Sequence, residues 1–232
     1  SSVEAQTRAS GALWHLSSST SAQGLIANAS GIELLVGLLT SERVAAANNA
    51  ACALYHLATN NINKEALVKV GSSSHAANYC RPTPLHIPVV RAGLAACAFD
   101  LLSLAYAHVC VMQAGGIVPL VNLLNRTQSS EAQDAVVALL ADLARQNGVK
   151  ATIVKSNGIK GLVGLLLTGS VTAQKHVACA LWCLSSEPAF QNAVCNENAV
   201  PALVKVLTTN EKARGYATAA LCNLAHDAEA RR

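Results

Sequence analysis

The sequence predicts an all-α protein in which short helical units repeat and stack as an α-solenoid. Three observations support this prediction. Ala and Leu dominate a chain that is 52% hydrophobic, 3% aromatic and 13% charged, which favours closely packed helices. An L-x-x-L element returns at regular intervals along the 232 residues. A turn follows most copies of this element at a constant distance, so two independent markers share one period.

The repeated element is clearest in three similar segments, ALWHLSS at 12–18, ALYHLAT at 53–59 and ALWCLSS at 180–186. Aligning every L-x-x-L element on its second leucine gives a spacing of about 42 residues. The aligned leucines are Leu16, Leu57, Leu101, Leu143, Leu184 and Leu224. The sequence therefore predicts about five to six units.

Each unit is predicted to contain a turn, a short helix, a polar gap and a longer helix that ends in the L-x-x-L element. The turns are Gly31-Ile32, Gly116-Ile117, Gly158-Ile159 and Ala199-Val200. The short helices read GIELLVGLL, GIVPLVNLL, GIKGLVGLL and AVPALVKVL. Glycine is expected to end one helix and begin the next. Since no unit can bury its own apolar faces, we expect the units to stack on one another.

The pattern GGIVPLVNLL…EAQDAVVALLADLA, from 115–124 and 131–144, resembles the armadillo repeat of β-catenin, importin-α and the vacuolar and plant armadillo-repeat proteins. The resemblance implies a right-handed α-solenoid whose third and longest helices line a concave groove. We expect residues 1–232 to form a single array that is part of a longer one, because neither end shows a polar capping helix.

The resemblance also places the residue before each aligned leucine on the groove. Three further residues that lie earlier on the same helices, Asn49, His176 and Tyr216, are also expected to line the groove. The full set of expected groove residues is His15, Asn49, His56, Asp100, Asp142, His176, Cys183, Tyr216 and Asn223. A neighbouring position on the same helices carries large aromatic side chains, which a helix turns about 100° away from the groove. We expect these aromatic residues to pack between units; they are Trp14, Tyr55, Phe99 and Trp182.

The predicted function is a protein-protein interaction scaffold that holds a partner segment in the groove. Two alternatives remain open: an importin-α-like cargo adaptor in nuclear transport, and the substrate-recruiting armadillo region of a larger ubiquitin-ligase-type protein. The importin-α-like array needs an Asn at each groove position and a Trp four residues earlier. Only Asn223 matches, and the residues four positions earlier are all small.

Catalysis, cofactors and metals are not expected. No GxSxG, Walker A, HExxH or Rossmann glycine pattern occurs. His and Asp in the predicted groove are competent zinc ligands, but equivalent residues of stacked helices lie about 8–10 Å apart. Zinc needs four donors within about 2.3 Å of one point. The sequence thus predicts neither an active site nor a metal site.

Basic residues gather between residues 145 and 186, where Asp and Glu are absent although the whole chain has a formal charge of only +4. They are Arg145, Lys150, Lys155, Lys160 and Lys175. We expect a solvated helix face or a surface for an acidic partner. Nucleic acid is disfavoured as a partner because stacking aromatic residues are not interleaved with the basic ones.

The eight cysteines form no CxxC pair and mostly sit in apolar helical patterns, so free thiols and an intracellular location, cytoplasmic or nuclear, are expected. The most apolar region, about 93–124, is interrupted by polar residues and predicts no membrane span. Residues 72–90 depart from the repeat, since Pro82, Pro84 and Pro88 stand where a short helix is expected. This stretch predicts a degenerate repeat or loop past which the array continues.

Overall fold

The computed structural model describes residues 3–59, 111–146 and 148–225, and all regular secondary structure in these ranges is helical. The predictions for Phe99, Asp100, Leu101 and residues 72–90 lie outside the described residues. The helices are α1 Val3–Ser17, α2 Thr20–Asn28, α3 Gly31–Leu39, α4 Val44–Thr59, α5 Ile117–Arg126, α6 Ser130–Leu143, α7 Val149–Lys155, α8 Gly158–Thr168, α9 Val171–Ser185, α10 Pro188–Asn196, α11 Ala199–Thr209 and α12 Glu211–Ala225.

The long helices lie side by side and form the spine of the molecule. α1 packs on α4, α4 on α6, α6 on α9 and α9 on α12. The short helices α3, α5, α8 and α11 form a second row in the same order. The aligned leucines of the four later long helices are at most 2% exposed and belong to one continuous core. This arrangement is the predicted α-solenoid.

The second and third long helices, α4 and α6, are in direct contact although the Leu101 element lies between them in the sequence. Arg126, at the end of α5, donates hydrogen bonds to the backbone oxygens of Ser41 at 3.3 Å and Glu42 at 3.4 Å. These bonds join the unit that contains α4 to the unit that contains α6. Within the described ranges the spine therefore has five long helices, each in contact with the next.

The turn before each helix of the second row depends on two adjacent residues, one with left-handed backbone angles and one at the start of the next helix. Ser30, Asn157 and Asn198 adopt left-handed backbone angles, with φ of 55°, 62° and 59°. At these three turns the left-handed residue, rather than the Gly or Ala that follows it, breaks the preceding helix, which corrects the expectation from the sequence. At the fourth turn the left-handed residue is a glycine, Gly115, with φ of 71°. The glycine after the left-handed residue permits close approach instead: a Cβ on Gly158 would lie 2.8 Å from Cγ2 of Ile153 and 2.9 Å from its carbonyl oxygen.

A buried glutamine in the first helix of a unit joins the ends of two long helices. Nε2 of Gln191 donates hydrogen bonds to the carbonyl oxygens of Ser185 at 2.9 Å and Asn223 at 3.2 Å. Gln23 makes the equivalent bonds to the last turns of α1 and α4. Because the last carbonyls of a helix have no partner within it, these side chains satisfy polar groups that stacking would otherwise bury unpaired.

Within the described residues, no single helix is both long and apolar enough to span a bilayer. One bent pair, Thr20–Ala27 with Gly31–Leu39, meets the criteria of length and composition with an angle of 86° between its helices. Leu35 and Leu39 of this pair are 0% and 1% exposed, so its apolar side packs inside the solenoid.

The close approach at Gly158 can be tested against a second glycine of the same helix. A Cβ on Gly164 would meet no atom within 4 Å. We expect Gly158→Ala to lower the free energy of unfolding by about 1–3 kcal/mol through overpacking. Gly164→Ala should raise it by about 0.5–1 kcal/mol through helix propensity. Urea denaturation measures both, and equal effects of the two substitutions would contradict the turn geometry described above.

Candidate partner-binding groove

The candidate site is the outward side of α1, α4, α6, α9 and α12, which we term the groove face. The long helices present their half-buried polar and aromatic side chains here. All of the predicted groove residues except Asp100 lie on the described helices. The structure uses these residues in different ways, so the face is not a uniform ladder.

Two of the predicted groove residues connect the unit of α4 to the preceding one. Asn49 donates its side-chain amide to the carbonyl oxygen of Thr7 and to Oγ of Ser10, both at 3.3 Å. Nδ1 of His56 lies 3.1 Å from Oγ of Ser17. These contacts hold α4 against α1, so Asn49 and His56 have a structural role on the groove face.

Asn223 is similarly engaged. Its side-chain amide donates to the carbonyl oxygen of Trp182 at 3.4 Å and to Oγ of Ser185 at 3.2 Å. The single match to the importin-α-like array is therefore hydrogen-bonded to the preceding helix α9. An amide held in this way contributes first to repeat packing.

The other predicted residues range from exposed to buried. His15 is exposed and stacks on Trp14 with ring centroids 5.2 Å apart. Asp142 and His176 are half-buried. Cys183 is only 8% exposed, so it offers a partner little surface. The ring of Tyr216 is half-buried and lies beside another aromatic ring of the face.

The expectation that the aromatic residues lie in the core is wrong for part of the set. Trp182 is 36% exposed, and its ring lies 6.0 Å from that of Tyr216. Trp14 and Tyr55 are half-buried and pack beside Cys52. At Trp182 the ring therefore contributes to the groove face beside Tyr216 instead of packing wholly between units.

A pocket of about 440 Å³ opens on the groove face between α4, α6 and α9. Because it draws on three successive long helices, the pocket exists only when the units are stacked. Its walls combine an aromatic ring, two imidazoles and two carboxylates. The lining residues are Cys52, Tyr55, His56, Ser130, Glu131, Asp134, Ala135, Thr172 and His176.

The two carboxylates make this pocket negative. Asp134 accepts a hydrogen bond from Oγ of Ser170 at 2.6 Å, and Glu131 lies in the exposed first turn of α6. Of the residues that the structure describes, no Lys or Arg lines the pocket. Among the described residues, neither carboxylate has a basic group within ion-pair distance. The described residues around the pocket thus leave its negative charge without an ion-pair partner.

Two neighbouring groups respond to this charge. Burial, and then the negative charges of Asp142 and Asp134, raise the pKa of Tyr55 above its ordinary value. Burial and the nearby Glu131 raise the pKa of the Cys52 thiol to about 12. Both groups are therefore neutral at pH 7, and the hydroxyl of Tyr55 keeps its proton.

Glu131 and Asp134 were not among the predicted groove residues. They lie twelve and nine residues before Leu143, whereas the groove was predicted from the positions one and eight residues before each leucine. Helical periodicity could have identified Glu131 and Asp134 from the sequence. Positions five, nine and twelve residues before the leucine lie on one side of the helix. That side is the one that forms the pocket.

The predicted basic residues do not form one surface. Lys150 is 9% exposed, and its Nζ lies 2.8 Å from Oε1 of Glu187 and 3.0 Å from Oγ of Ser186. It occupies the position that Gln191 has in the next unit and joins α7 to the end of α9. Lys150 is thus a structural residue, since its charge is neutralised inside the solenoid.

The remaining four basic residues lie on different helices. Lys155 and Lys160, on α7 and α8, are exposed. Lys175 is half-buried on α9, and Arg145 follows α6 and lies 3.9 Å from the carboxylate of Asp142. The five residues that cluster in the sequence are therefore distributed among several elements of a unit.

The imidazoles and carboxylates of the pocket are residue types that also bind metals. In the described part of the chain, no three His, Cys, Asp or Glu residues converge as a metal site would require. The two imidazoles and two carboxylates can donate and accept hydrogen bonds. The arrangement is suited to holding a charged or polar group.

Known proteins resemble this chain in sequence family and in fold. A family model that describes the H subunit of the V-ATPase matches residues 93–229, which is more than half of the chain. The chain belongs to this family. No curated protein matches the chain in sequence.

Solved structures define the fold class more closely. An engineered protein of known crystal structure is 28% identical with a TM-score of 0.56, over 97% of this chain and 92% of that chain. The armadillo-repeats-only protein from Plasmodium falciparum is 16% identical with a TM-score of 0.64, over 94% and 79%. A designed armadillo protein in complex with the peptide (KR)4 is 21% identical with a TM-score of 0.52, over 94% and 91%. The predicted armadillo solenoid is confirmed.

The pKa of the pocket residue His176 is lowered, mainly by burial and then by the positive charges of Lys175 and Arg145. The negative charges of Asp142 and Asp134 oppose this effect but do not outweigh it. The pocket also brings His56 and Glu131 near it. Because the folded state binds this proton less readily than the unfolded state, stability should fall as the pH drops below about 6.5. Urea denaturation between pH 7.5 and 5.5 should show a smaller loss for His176→Gln. An equal loss in both proteins would contradict the assignment.

Proposed function

We propose that this chain is a protein-interaction scaffold that binds an extended partner segment along the groove face, with a basic side chain of the partner in the pocket between α4, α6 and α9. The observation that supports this proposal is the pair of carboxylates, Glu131 and Asp134, which have no basic neighbour within ion-pair distance among the described residues. The proposed role is binding without catalysis.

The chemistry of the pocket favours Lys or Arg in the partner. A guanidinium or ammonium group can donate charge-assisted hydrogen bonds to both carboxylates, and such bonds are stronger than neutral ones. Tyr55 supplies an aromatic face against which the cation or its aliphatic stem can pack. The volume of about 440 Å³ is large enough for one such side chain with bound water.

Support also comes from a structural neighbour. The designed armadillo protein that binds (KR)4 shares the fold of this chain and carries an alternating Lys-Arg peptide. Its 21% identity supports the fold alone, so the basic partner is inferred here from the pocket residues. Within the described ranges the nuclear cargo adaptor is favoured by Asn223 alone, whose amide is bonded to α9, and no residue favours the ligase-associated role. An intracellular location stays a prediction from the cysteine content.

A peptide titration tests the proposal. Fluorescence polarisation with labelled (KR)4 should show binding to the wild-type chain. The double variant Glu131→Gln, Asp134→Asn should weaken the binding at least tenfold in Kd, because each substitution replaces a charge-assisted hydrogen bond, worth about 1.5–3 kcal/mol, with a neutral one worth about 0.5–1.5 kcal/mol. The matched control Glu33→Gln, Glu42→Gln removes two exposed carboxylates on and after α3 and should change the Kd less than twofold. No wild-type binding, or equal losses in both variants, would refute the pocket assignment.

A second candidate follows from the family match. The matched range, 93–229, includes α5 to α12, and the family description names a V-ATPase component. We therefore also propose a V-ATPase as the assembly that this chain contacts. Affinity purification of the tagged chain from detergent-solubilised membranes, followed by mass spectrometry, should recover V-ATPase components above the level of an unrelated helical-repeat control. Recovery at the control level would remove this candidate and leave the peptide result unaffected.

A further inference from the structure

A pair of cysteines and an arginine form a separate cluster on the groove face. Cys179 and Cys183 lie one turn apart on α9. Arg145, which follows α6, reaches across the boundary between two units and places Nη2 3.5 Å from Sγ of Cys179. Neither the armadillo fold nor the binding pocket requires this contact, since Arg145 is half-exposed and its ion pair with Asp142 is long, at 3.9 Å.

The two neighbouring thiols are unlike in acidity, because the contacts of each sulfur favour or disfavour its thiolate form. Arg145 contacts Cys179, whereas Cys183 can donate its S–H to the same sulfur. The hydrogen bond from Cys183 and then that from Arg145 lower the pKa of Cys179 to about 6, despite the opposing effect of burial. The same hydrogen bond between the two cysteines raises the pKa of Cys183, because Cys183 donates its proton to it. Within the pair, the thiolate is therefore favoured on Cys179, the sulfur that Arg145 contacts.

An equivalent position in another unit serves as an internal comparison. Cys52 and Cys179 both lie five residues before the aligned leucine of their helix. The neighbour of Cys52 across the unit boundary is the acidic Glu131, which helps to raise its pKa to about 12. The position in the repeat therefore does not make Cys179 acidic. Arg145 and Cys183 do.

We propose that Cys179 is a thiol modification site at which small hydroperoxides oxidise the sulfur to a sulfenic acid. The thiolate sulfur attacks one oxygen of the hydroperoxide, and the O–O bond breaks. The other oxygen leaves as hydroxide or alkoxide and takes a proton from water. Sulfur loses two electrons and the peroxide gains them, so the step needs no further reactant. It is independent of what the groove face binds.

The burial of Cys179 limits the size of the oxidant, and its position on α9 limits the product of oxidation. Cys179 is 4% exposed, so a small peroxide fits the proposal and a bulky disulfide does not. Residues four apart on a helix have Cβ atoms about 5–6 Å apart, whereas a disulfide needs about 3.5–4.5 Å. With α9 intact, Cys183 therefore does not resolve the sulfenic acid into a disulfide. Oxidation removes the negative partner of Arg145, which changes the charge of the groove face beside the pocket residue His176.

The pH profile of modification tests the proposal. The native chain is treated with hydrogen peroxide, the peroxide is removed, and dimedone is then added as urea unfolds the chain; chloroacetamide is used on the native chain in a separate reaction. Each cysteine is quantified by mass spectrometry. Cys179 should react at pH 7 at nearly its maximal rate, rising less than twofold to pH 9. Cys52 should rise by about 100-fold over the same range, because its thiolate fraction grows tenfold for each pH unit.

Two substitutions should shift this profile in opposite directions. Arg145→Gln removes the cation and should slow the reaction of Cys179 at pH 7 by about tenfold or more. Asp142→Asn removes the charge that opposes the thiolate and should move the profile to lower pH. Circular dichroism checks that both variants are folded. A Cys179 that reacts with hydrogen peroxide and chloroacetamide only after urea unfolds the chain, or a profile that neither substitution moves, would overturn the proposal.

Discussion

The close packing of successive long helices is the constraint on which the rest of the molecule depends. In α4 the contact surface is made largely of alanine, and Ala46, Ala47, Ala50, Ala51 and Ala53 are each 0% exposed. Small side chains let neighbouring helices approach towards the lower end of the usual range of about 8–10 Å. Because each helix is buried by its neighbours in the array, a unit has no stable structure without the units beside it.

This constraint also determines which polar residues remain for binding. Stacking brings the ends of long helices together and would bury their last carbonyls, so Gln23 and Gln191 are used to bond them. Asn49, His56 and Asn223 are used in the same way along the sides of the helices. The carboxylates on α6, which have no ion-pair partner among the described residues, are therefore more informative about a ligand than the polar residues nearest to the aligned leucines.

The sequence predicted the features that depend on local periodicity. The short apolar helices and the armadillo resemblance each rest on spacing within one unit, and the structure confirms them. The aligned leucines are buried in the four later long helices, whereas Leu16 of α1 is 52% exposed. The pocket could not be predicted in the same way, because it depends on which helices become neighbours. Its walls join Tyr55 to Asp134 because α4 packs directly on α6, a contact that the intervening Leu101 element did not suggest. Lys150 was likewise predicted to be a surface residue, because the sequence does not show that Glu187 of the next unit lies beside it.

Charge shows the same dependence on neighbours across unit boundaries. The chain as a whole is positive, with a formal charge of +4, yet its pocket is negative because the basic residues of 145–186 are spread over several helices. Cys52 and Cys179 occupy one position of the repeat and still differ in pKa, about 12 against about 6. Burial raises the pKa at both positions, and Glu131 adds to this effect at Cys52, whereas Cys183 and Arg145 outweigh it at Cys179. In a repeat protein the helical period sets where a side chain points, and the adjoining unit sets its chemistry.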